Sequence, residues 1–254
     1  MSRLFETYRA LHEQAFLPTF VRDHIPDTKK LLEGCLEAGV RVIEYTLRRP
    51  DANTMIPWIR ENYPDLYLLV GSTLGDAAIV EKQRVKFPQL LTLEELDAME
   101  VDGFVSLVGF SADSMKQYQS RRILIPAVST IEEAFSKVAA GAHFVKVPGS
   151  NPDLIKSYRW EPAFDYCPLF ATGGLTLDRI PIAVEAGAVV ASTGFNLILE
   201  ACSADVSVKE IAAIIRQYME TTQNAKRATW PELAKAADAD NQTWLNTLPH
   251  YHPF

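Results

Sequence analysis

Two ionisable side chains sit where the local pattern makes them costly. His143-Phe144-Val145-Lys146-Val147-Pro148-Gly149 reads as a short apolar strand closed by Pro-Gly, with a lysine at its centre. Alternation puts Val145 and Val147 on one face, Phe144 and Lys146 on the other. A buried parallel strand normally reads as an unbroken hydrophobic run. Lys146 therefore needs a partner or must give up its proton, and a desolvated neutral amine is the nucleophile of Schiff-base chemistry. A strand-end lysine snorkelling to solvent is the plainer alternative. The second costly residue is Glu44, in Arg41-Val42-Ile43-Glu44-Tyr45-Thr46-Leu47-Arg48. Ile43, Tyr45 and Leu47 form a face suited to packing under helices; Val42, Glu44, Thr46 and Arg48 form the other. An unpaired buried carboxylate is strongly disfavoured, so Glu44 calls for a nearby cation.

The elements around these residues repeat. Residues 2–14 read as an amphipathic helix with Leu4, Tyr8 and Leu11 on one face, and Phe16 to Val21 as a first strand interrupted by Pro18. Asp27-Thr28 reads as the cap of a helix running to Ala38, stopped by Gly39, with the strand Val40 to Leu47 directly after it. The same helix, Ala-Gly, strand unit returns at Ala140-Gly141 and at Ala186-Gly187. Further strands are expected at Leu66 to Thr73, Gly103 to Val108, Ile123 to Val128, Pro168 to Thr172 and Ala188 to Ser192, with Ser111, Thr130, Asn151 and Thr176 poised to cap helices. Short apolar strands alternating with helices predict an α/β fold with a parallel sheet, and eight units close most simply as a (β/α)8 TIM barrel. A doubly wound sheet is the competitor, but no Gly-x-Gly-x-x-Gly turn follows the first strand. In the barrel, Glu44 to Arg48 climb an inward face toward the C-terminal mouth, and Lys146 faces them from across it. A structural ion pair, Glu44–Lys146 or Glu44–Arg48, is the non-catalytic alternative.

Residues 75–102 are long for one crossover and hold Pro88 and a second helical pattern, Thr92 to Met99, read as an insertion. Residues 1–218 are taken as the barrel domain, ending in a helix from Val206 to Tyr218. Residues 219–254 are a C-terminal extension: a polar connector, a helix near Trp230 to Ala239, and the tail His250-Tyr251-His252-Pro253, read as an oligomer contact or a lid.

Composition narrows the function classes. At 254 residues and 48% hydrophobic, the chain has the length of one barrel and material for a large core. With 25 basic against 32 acidic residues, net −7, it carries no mark of a nucleic-acid or membrane surface. The start, Met-Ser-Arg-Leu-Phe-Glu, lacks a signal layout, and Cys35, Cys167 and Cys202 lie unpatterned in apolar surroundings. A soluble, cytoplasmic protein with reduced thiols is the expectation. His250 and His252 are the obvious histidine pair, too few for a metal site, and no metal or other cofactor is expected.

Four stretches together carry a family resemblance. Gly39-Val40 through Glu44-Tyr45-Thr46-Leu47-Arg48 resembles the Gly-Val-x-x-x-Glu-x-Thr-x-Arg strand of the 2-keto-3-deoxy-6-phosphogluconate (KDPG) and 4-hydroxy-2-oxoglutarate (KHG) aldolases. Ile125-Pro126-Ala127-Val128-Ser129-Thr130 resembles their Ile-Pro-Gly-x-x-Thr, Phe144-Val145-Lys146 with Pro148 their lysine strand, and Ala171-Thr172-Gly173-Gly174-Leu175 their Pro-Thr-Gly-Gly-Ile. The motifs keep the family's order over roughly residues 15–200, about three quarters of the chain. The resemblance implies a class I, metal-free aldolase of carbohydrate metabolism, usually a homotrimer, that cleaves a 2-keto-3-deoxy sugar acid or 4-hydroxy-2-oxo acid to pyruvate and an aldehyde. In it Lys146 forms the Schiff base, Glu44 moves the protons, Arg48 holds the substrate carboxylate, and Thr73 and Thr172 add hydroxyl contacts to pyruvate.

The departures concern the substrate. Val70-Gly71-Ser72-Thr73 stands where the family has Gly-Ala-Gly-Thr, so a side chain replaces a glycine. Leu107-Val108-Gly109 lacks the proline of Ser-Pro-Gly, and the lysine strand is one residue tighter and lacks the pocket aromatic. Ser192-Thr193-Gly194-Phe195 replaces the phosphate-binding Gly-Gly-Ser. Gly173 and Gly174 before a helix offer backbone donors to an anion, or are a turn and nothing more; Ser192 and Thr193 offer hydroxyls to a phosphate while crowding it. The substrate is left open, phosphorylated or not. Two other readings stand beside the aldolase: oxaloacetate decarboxylation or other lysine-imine chemistry, and a non-catalytic keto-acid-binding member.

Overall fold

The computed structural model describes residues 2–20, 24–148, 151–158, 167–194 and 206–254. Its frame is eight parallel strands: β1 Phe16–Phe20, β2 Val42–Thr46, β3 Tyr67–Gly71, β4 Gly103–Ser106, β5 Ile123–Pro126, β6 Val145–Pro148, β7 Leu169–Thr172 and β8 Val190–Gly194. They run in the order β5-β4-β3-β2-β1-β8-β7-β6. The two edges meet: Ala127 bridges Lys146, the Val128 N–H donates to the Lys146 carbonyl at 2.9 Å, and the His143 N–H donates to the Leu124 carbonyl at 3.0 Å. The (β/α)8 barrel thus closes through the backbone of the lysine itself. Strand alternation sorts the side chains as expected. Leu17, Val42, Leu69, Val105, Phe144 and Phe170 pack inside, while Ile43, Tyr45, Leu47, Val145 and Val147 pack outside, under the helices.

Those helices are α2 Ile25–Glu37, α3 Ala52–Asn62, α4 Ala77–Gln83, α5 Leu93–Ala98, α6 Ala112–Tyr118, α7 Ile131–Ala139, α8 Pro152–Ser157 and α9 Arg179–Ala186. Ser111, Thr130 and Asn151 cap α6, α7 and α8, each side chain accepting from a first-turn N–H. Gly39, at φ +88°, ends α2. Two expected caps are displaced. Helix α2 starts at Ile25 with a proline in its first turn, which sets φ there, and this leaves Thr28 buried inside the helix. Thr176 opens a turn instead: its hydroxyl bonds Asp178, its carbonyl accepts from Arg179 and Ile180, and α9 begins at Arg179. Both α4 and α5 fall in residues 75–102, the second opened by a Thr92–Glu95 capping box.

The helix expected at Val206 to Tyr218 is α10 Val208–Thr229, 22 residues. Its buried stripe continues past Tyr218 through Met219, Thr222 and Lys226, so the supposed polar connector is helix. Polar composition hid the period because the hydroxyl of Thr222 donates to the Tyr218 carbonyl at 2.8 Å and Lys226 Nζ to the His12 carbonyl at 2.7 Å. Helix α10 crosses α2 where a Cβ on Gly34 would lie 2.3 Å from Ile211 Cγ2. Two single-turn helices follow, α11 Pro231–Lys235 and α12 Asn241–Leu245. Among the described residues no helix is long and apolar enough to cross a membrane. Cys35 and Cys167 are buried and free, as expected; Cys202 lies outside the described residues.

Helix α1, Arg3–Gln14, plugs the end of the barrel where the strands begin. Its Arg3 pairs with Asp102 just before β4, Gln14 accepts from the Arg41 N–H at 2.7 Å before β2, and Tyr8 packs on Phe144 before β6. The C-terminal tail lies over the outer side of this plug. Phe254 packs edge-on against Phe5 and tilted on Tyr8, and the buried Trp244 meets Phe5 and Tyr8 edge-on. The lid reading is therefore corrected: the tail closes the end opposite the barrel mouth, because its aromatics complete an apolar cluster begun by α1.

Nor is the tail frayed, since His250 is 9% exposed. Its Nδ1 lies 2.7 Å from the Tyr251 carbonyl, so that nitrogen carries the proton, and Nε2 is left to accept from His12 Nε2 at 2.9 Å. His12 Nδ1 in turn faces Lys226 Nζ at 3.3 Å. The chain of bonds works only with both imidazoles neutral. Burial pushes His250 down to about 3 and His12 well below its usual value, with Lys226 and His252 adding repulsion. A histidine pKa lowered by folding gives stability that is complete above the unfolded value, near 6.5, and is lost as pH falls toward 3. Tail docking should therefore weaken between pH 6.5 and 4. Limited proteolysis should show C-terminal clipping rising over that range in the native protein and rising less in His250→Gln; identical profiles would refute the role given to His250.

Candidate active site

Above the apolar layer of Val42, Leu69, Phe144 and Phe170, the barrel interior turns polar. Glu44 on β2 is 3% exposed and Lys146 on β6 is 4% exposed. Burial pushes the Lys146 ammonium below its usual pKa and Arg48 pushes the same way, while the Glu44 carboxylate opposes them. The two groups feel each other's charge, yet among the described residues no ion pair within 4 Å locks them together. Desolvation has the larger effect, so the lysine is biased toward the free amine.

Thr19 on β1 stands beside Glu44 in the strand register and donates to its Oε2 at 3.3 Å; its oxygen also lies 2.9 Å from Ser192 Oγ on β8. The Glu44 carboxylate has its place because β3 carries glycine two residues beyond its register partner Leu69. A Cβ on Gly71 would lie 1.9 Å from Glu44 Oε1. The next residue, Ser72, is a non-glycine residue at φ +62°, so it keeps a backbone form that glycine adopts without strain. Its hydroxyl accepts from Arg48 Nε at 2.9 Å. The serine that replaces a glycine thus anchors the arginine at the mouth.

Thr73 is 1% exposed and spends its proton on the Val105 carbonyl at 3.0 Å, leaving its oxygen as an acceptor. Thr172 is half-buried at the end of β7, in register with Pro148 and Ser192. Gly173 and Gly174 form the turn that follows, at φ +93° and +66°, and Arg179 donates to the Gly174 carbonyl at 3.1 Å. Strand alternation separates Ser192 from Thr193. Ser192 faces Thr19 inside, whereas Thr193 takes the outer side with Ala191, its hydroxyl buried and without a partner among the described residues. Thr46, inward on β2, is fully buried, and its hydroxyl too has no partner among the described residues. Gly149, Tyr166 and Phe195 lie outside the described residues.

The structure thus gathers Glu44, Lys146 and Ser192 within the barrel and carries Arg48 to its rim. The sequence reading gave no role to Thr19 or Gly71. Both were marked by alternation: Thr19 follows inward Leu17 by two, and Gly71 follows Leu69 by two. Chemically, a desolvated amine within reach of a carboxylate and below a guanidinium can add to the carbonyl of an anionic keto acid, with a proton carrier at hand.

Comparison with known proteins gives a family and a shared fold. The model of the KDPG and KHG aldolase family matches residues 8–214. The 2-dehydro-3-deoxy-6-phosphogalactonate aldolase of Escherichia coli (strain K12) is 26% identical over 194 residues, covering 74% of this chain and 86% of that protein. Among solved structures, the 2-keto-3-deoxy-6-phosphogluconate aldolase of Zymomonas mobilis ZM4 with 3-phosphoglycerate superposes with a TM-score of 0.66 at 21% identity, over 88% of this chain and 98% of that one. The KDPG aldolase from Legionella pneumophila, with pyruvate captured at low pH as a covalent carbinolamine intermediate, gives 0.59 at 17% identity, over 87% and 98%.

The Gly71–Glu44 contact yields a coupled prediction. Gly71→Ala should cost roughly 1–3 kcal/mol through overpacking. In a Glu44→Ala background that cost should fall to about zero, because the obstructing oxygen is gone. Denaturant unfolding of the two single variants and the double variant measures the cycle. Equal costs in both backgrounds would show that Gly71 serves something other than Glu44.

Proposed function

The chain belongs to the KDPG and KHG aldolase family and is an aldehyde-lyase, and from that premise we propose that Lys146 is its Schiff-base residue. The substrate is a 2-keto-3-deoxy sugar acid or a 4-hydroxy-2-oxo acid, and pyruvate is one product. One observation carries the reading: a lysine buried within the barrel, its ammonium pushed down by desolvation, lies within electrostatic reach of a buried carboxylate. The covalent carbinolamine of the Legionella enzyme supports it.

In this mechanism Arg48, steadied by Ser72, takes the substrate carboxylate in a two-pronged grip. The neutral Lys146 amine adds to the keto carbon. Glu44, carrying the proton that Lys146 gave up, relays the surplus proton of the attacking nitrogen to the new alkoxide. It then gives its own to the resulting hydroxyl, which leaves as water and yields the protonated imine. Glu44 then accepts the proton of the C4 hydroxyl as the C3–C4 bond breaks. The aldehyde leaves, and the bond electrons move into the imine to form an enamine. Returning that proton to C3 and adding water releases pyruvate and regenerates Lys146. The Thr19 hydroxyl, 3.3 Å from Glu44, orients the carboxylate that shuttles these protons. Gly173, Gly174 and Thr172 at the end of β7 border the distal part of the substrate, with Ser192 inside the barrel and Thr193 behind the strand. Substrates with and without a terminal phosphate both fall within the proposal, and parallel assays of the two forms separate them. The family resemblance further points to a homotrimer working on sugar-derived acids in the cytoplasm.

Borohydride reduction in the presence of pyruvate should leave a stable adduct that peptide mass mapping finds on Lys146. Folded protein with no adduct there would remove Lys146 from the reaction and leave it a structural cation. Glu44→Gln should still bind pyruvate while kcat for cleavage falls by about 10² to 10⁴, the usual size of a general acid–base contribution. A kcat within twofold of the parent would move the proton transfers to another group.

A further inference from the structure

A second ionisable cluster lies at the opposite end of the barrel, and the aldolase reaction makes no use of it. Helix α10, helix α1 and the tail helices line a half-open cavity of about 340 Å³, within the range of small-molecule sites. Lys226 forms its deep polar end and Arg227 lies beside it; Trp230, Trp244 and Leu233 supply aromatic and apolar wall. Lys226 is 6% exposed. Of the three donors on its ammonium, two are spent among the described residues, on the carbonyl and the Nδ1 of His12. Both partners are neutral. The carboxylate that pulls on Lys226 from a distance, Glu13, is already shared by Arg9 and Arg41. The amine is therefore buried beside a cavity with no anion of its own.

We infer that this cavity is a second ligand site, which takes a small monocarboxylate with an apolar or aromatic body. The carboxylate meets Lys226 and Arg227, and the body packs on Trp230 and Trp244. An anion here supplies the charge partner that the fold leaves out, which is the usual condition for a buried cation. The lining also explains the preference for one carboxylate over a larger polyanion: Glu13 and Asp238 border the same space and repel additional negative charge. Burial lowers Lys226 to about 7, so an arriving carboxylate holds on the lysine a proton that it would otherwise release near neutrality. This site is independent of the chemistry assigned to Lys146.

The test uses 4-fluorobenzoate as probe, followed by 19F NMR on full-length Lys146→Ala protein, in which the barrel mouth has lost its lysine. The probe should bind, and Lys226→Met in that background should weaken binding by about tenfold or more, the loss of one charge-assisted bond. Arg227→Gln should also weaken it, and 4-fluorobenzamide, with the same ring and no charge, should bind less well than the acid. Lys226→Met on its own should leave the enzyme's turnover unchanged. The proposal is overturned if the probe fails to bind, if binding disappears with Lys146→Ala alone, or if the amide binds as tightly as the acid. It is overturned equally if affinity survives both Lys226→Met and Arg227→Gln. Should Lys226→Met fail to fold, the surface-proximal Arg227→Gln and the acid–amide pair decide the matter. A failed aldolase assignment would leave each of these outcomes readable, because the probe is scored without Lys146.

Discussion

Taking a carboxylate and an ammonium out of water in the same barrel is the constraint to which much of this structure answers. The interior could have been filled by apolar layers throughout, as its lower half is with Val42, Leu69, Phe144 and Phe170. Glu44 and Lys146 interrupt that packing, and their neighbours make room for them. Gly71 leaves space that any side chain would take from the Glu44 carboxylate, and Thr19 offers it a hydroxyl. The backbone of Lys146 joins the two edges of the sheet, so the amine projects from the seam where the barrel closes. Position is therefore set by strand geometry, while the lowered pKa of the amine is set by desolvation, with the Glu44 carboxylate opposing it.

The two ends of the barrel handle polarity differently. At the plugged end polar side chains tie α1 and the tail to distant elements. Gln14 bridges the start of β1 and β2, Arg3 is fixed on Asp102, and His12 and His250 exchange a proton donor in one consistent direction. Such networks specify one arrangement of α1 and the tail. At the mouth, Arg48 is held by one strained serine, and Thr46 keeps a hydroxyl with no partner among the described residues. Buried polar atoms without partners among the described residues occur at both ends, on Tyr8, His143 and His252 by the plug and on Thr46 toward the mouth; at the mouth a substrate can supply the missing partner.

Much of this was legible in the amino-acid pattern because strand alternation is a strict code. Ile43, Tyr45 and Leu47 had to leave the barrel if Glu44 was to enter it, and the same logic placed Lys146 and Phe144 together. Local stop and cap signals worked where the side chain had no competing partner, as at Ser111, Thr130 and Gly39. They failed where one was present: Pro26 started α2 early, and the Thr176 hydroxyl was drawn to Asp178. The longer failure, the end of α10, came from reading Thr222 and Lys226 as solvent-facing. Nothing in their identity shows that backbone carbonyls of Tyr218 and His12 satisfy them. The tail's destination was hidden for a related reason, since the aromatic cluster that captures Phe254 lies nearly the whole chain away, on α1.

Lys146 and Lys226 show why a lowered lysine pKa alone does not identify a catalytic residue. Burial depresses both amines. Lys146 has a buried carboxylate in electrostatic reach and a guanidinium on the mouth side, the minimum set for adding to an anionic carbonyl compound and moving its protons. Lys226 has a carbonyl and an imidazole as neighbours, neither of which can serve as a proton relay to a reacting carbon while His12 is bonded to His250. The first arrangement favours covalent chemistry; the second favours electrostatic capture of an anion. What separates them is the charge and proton-carrying capacity of the neighbours, and that is decided by which strand or helix each lysine stands on.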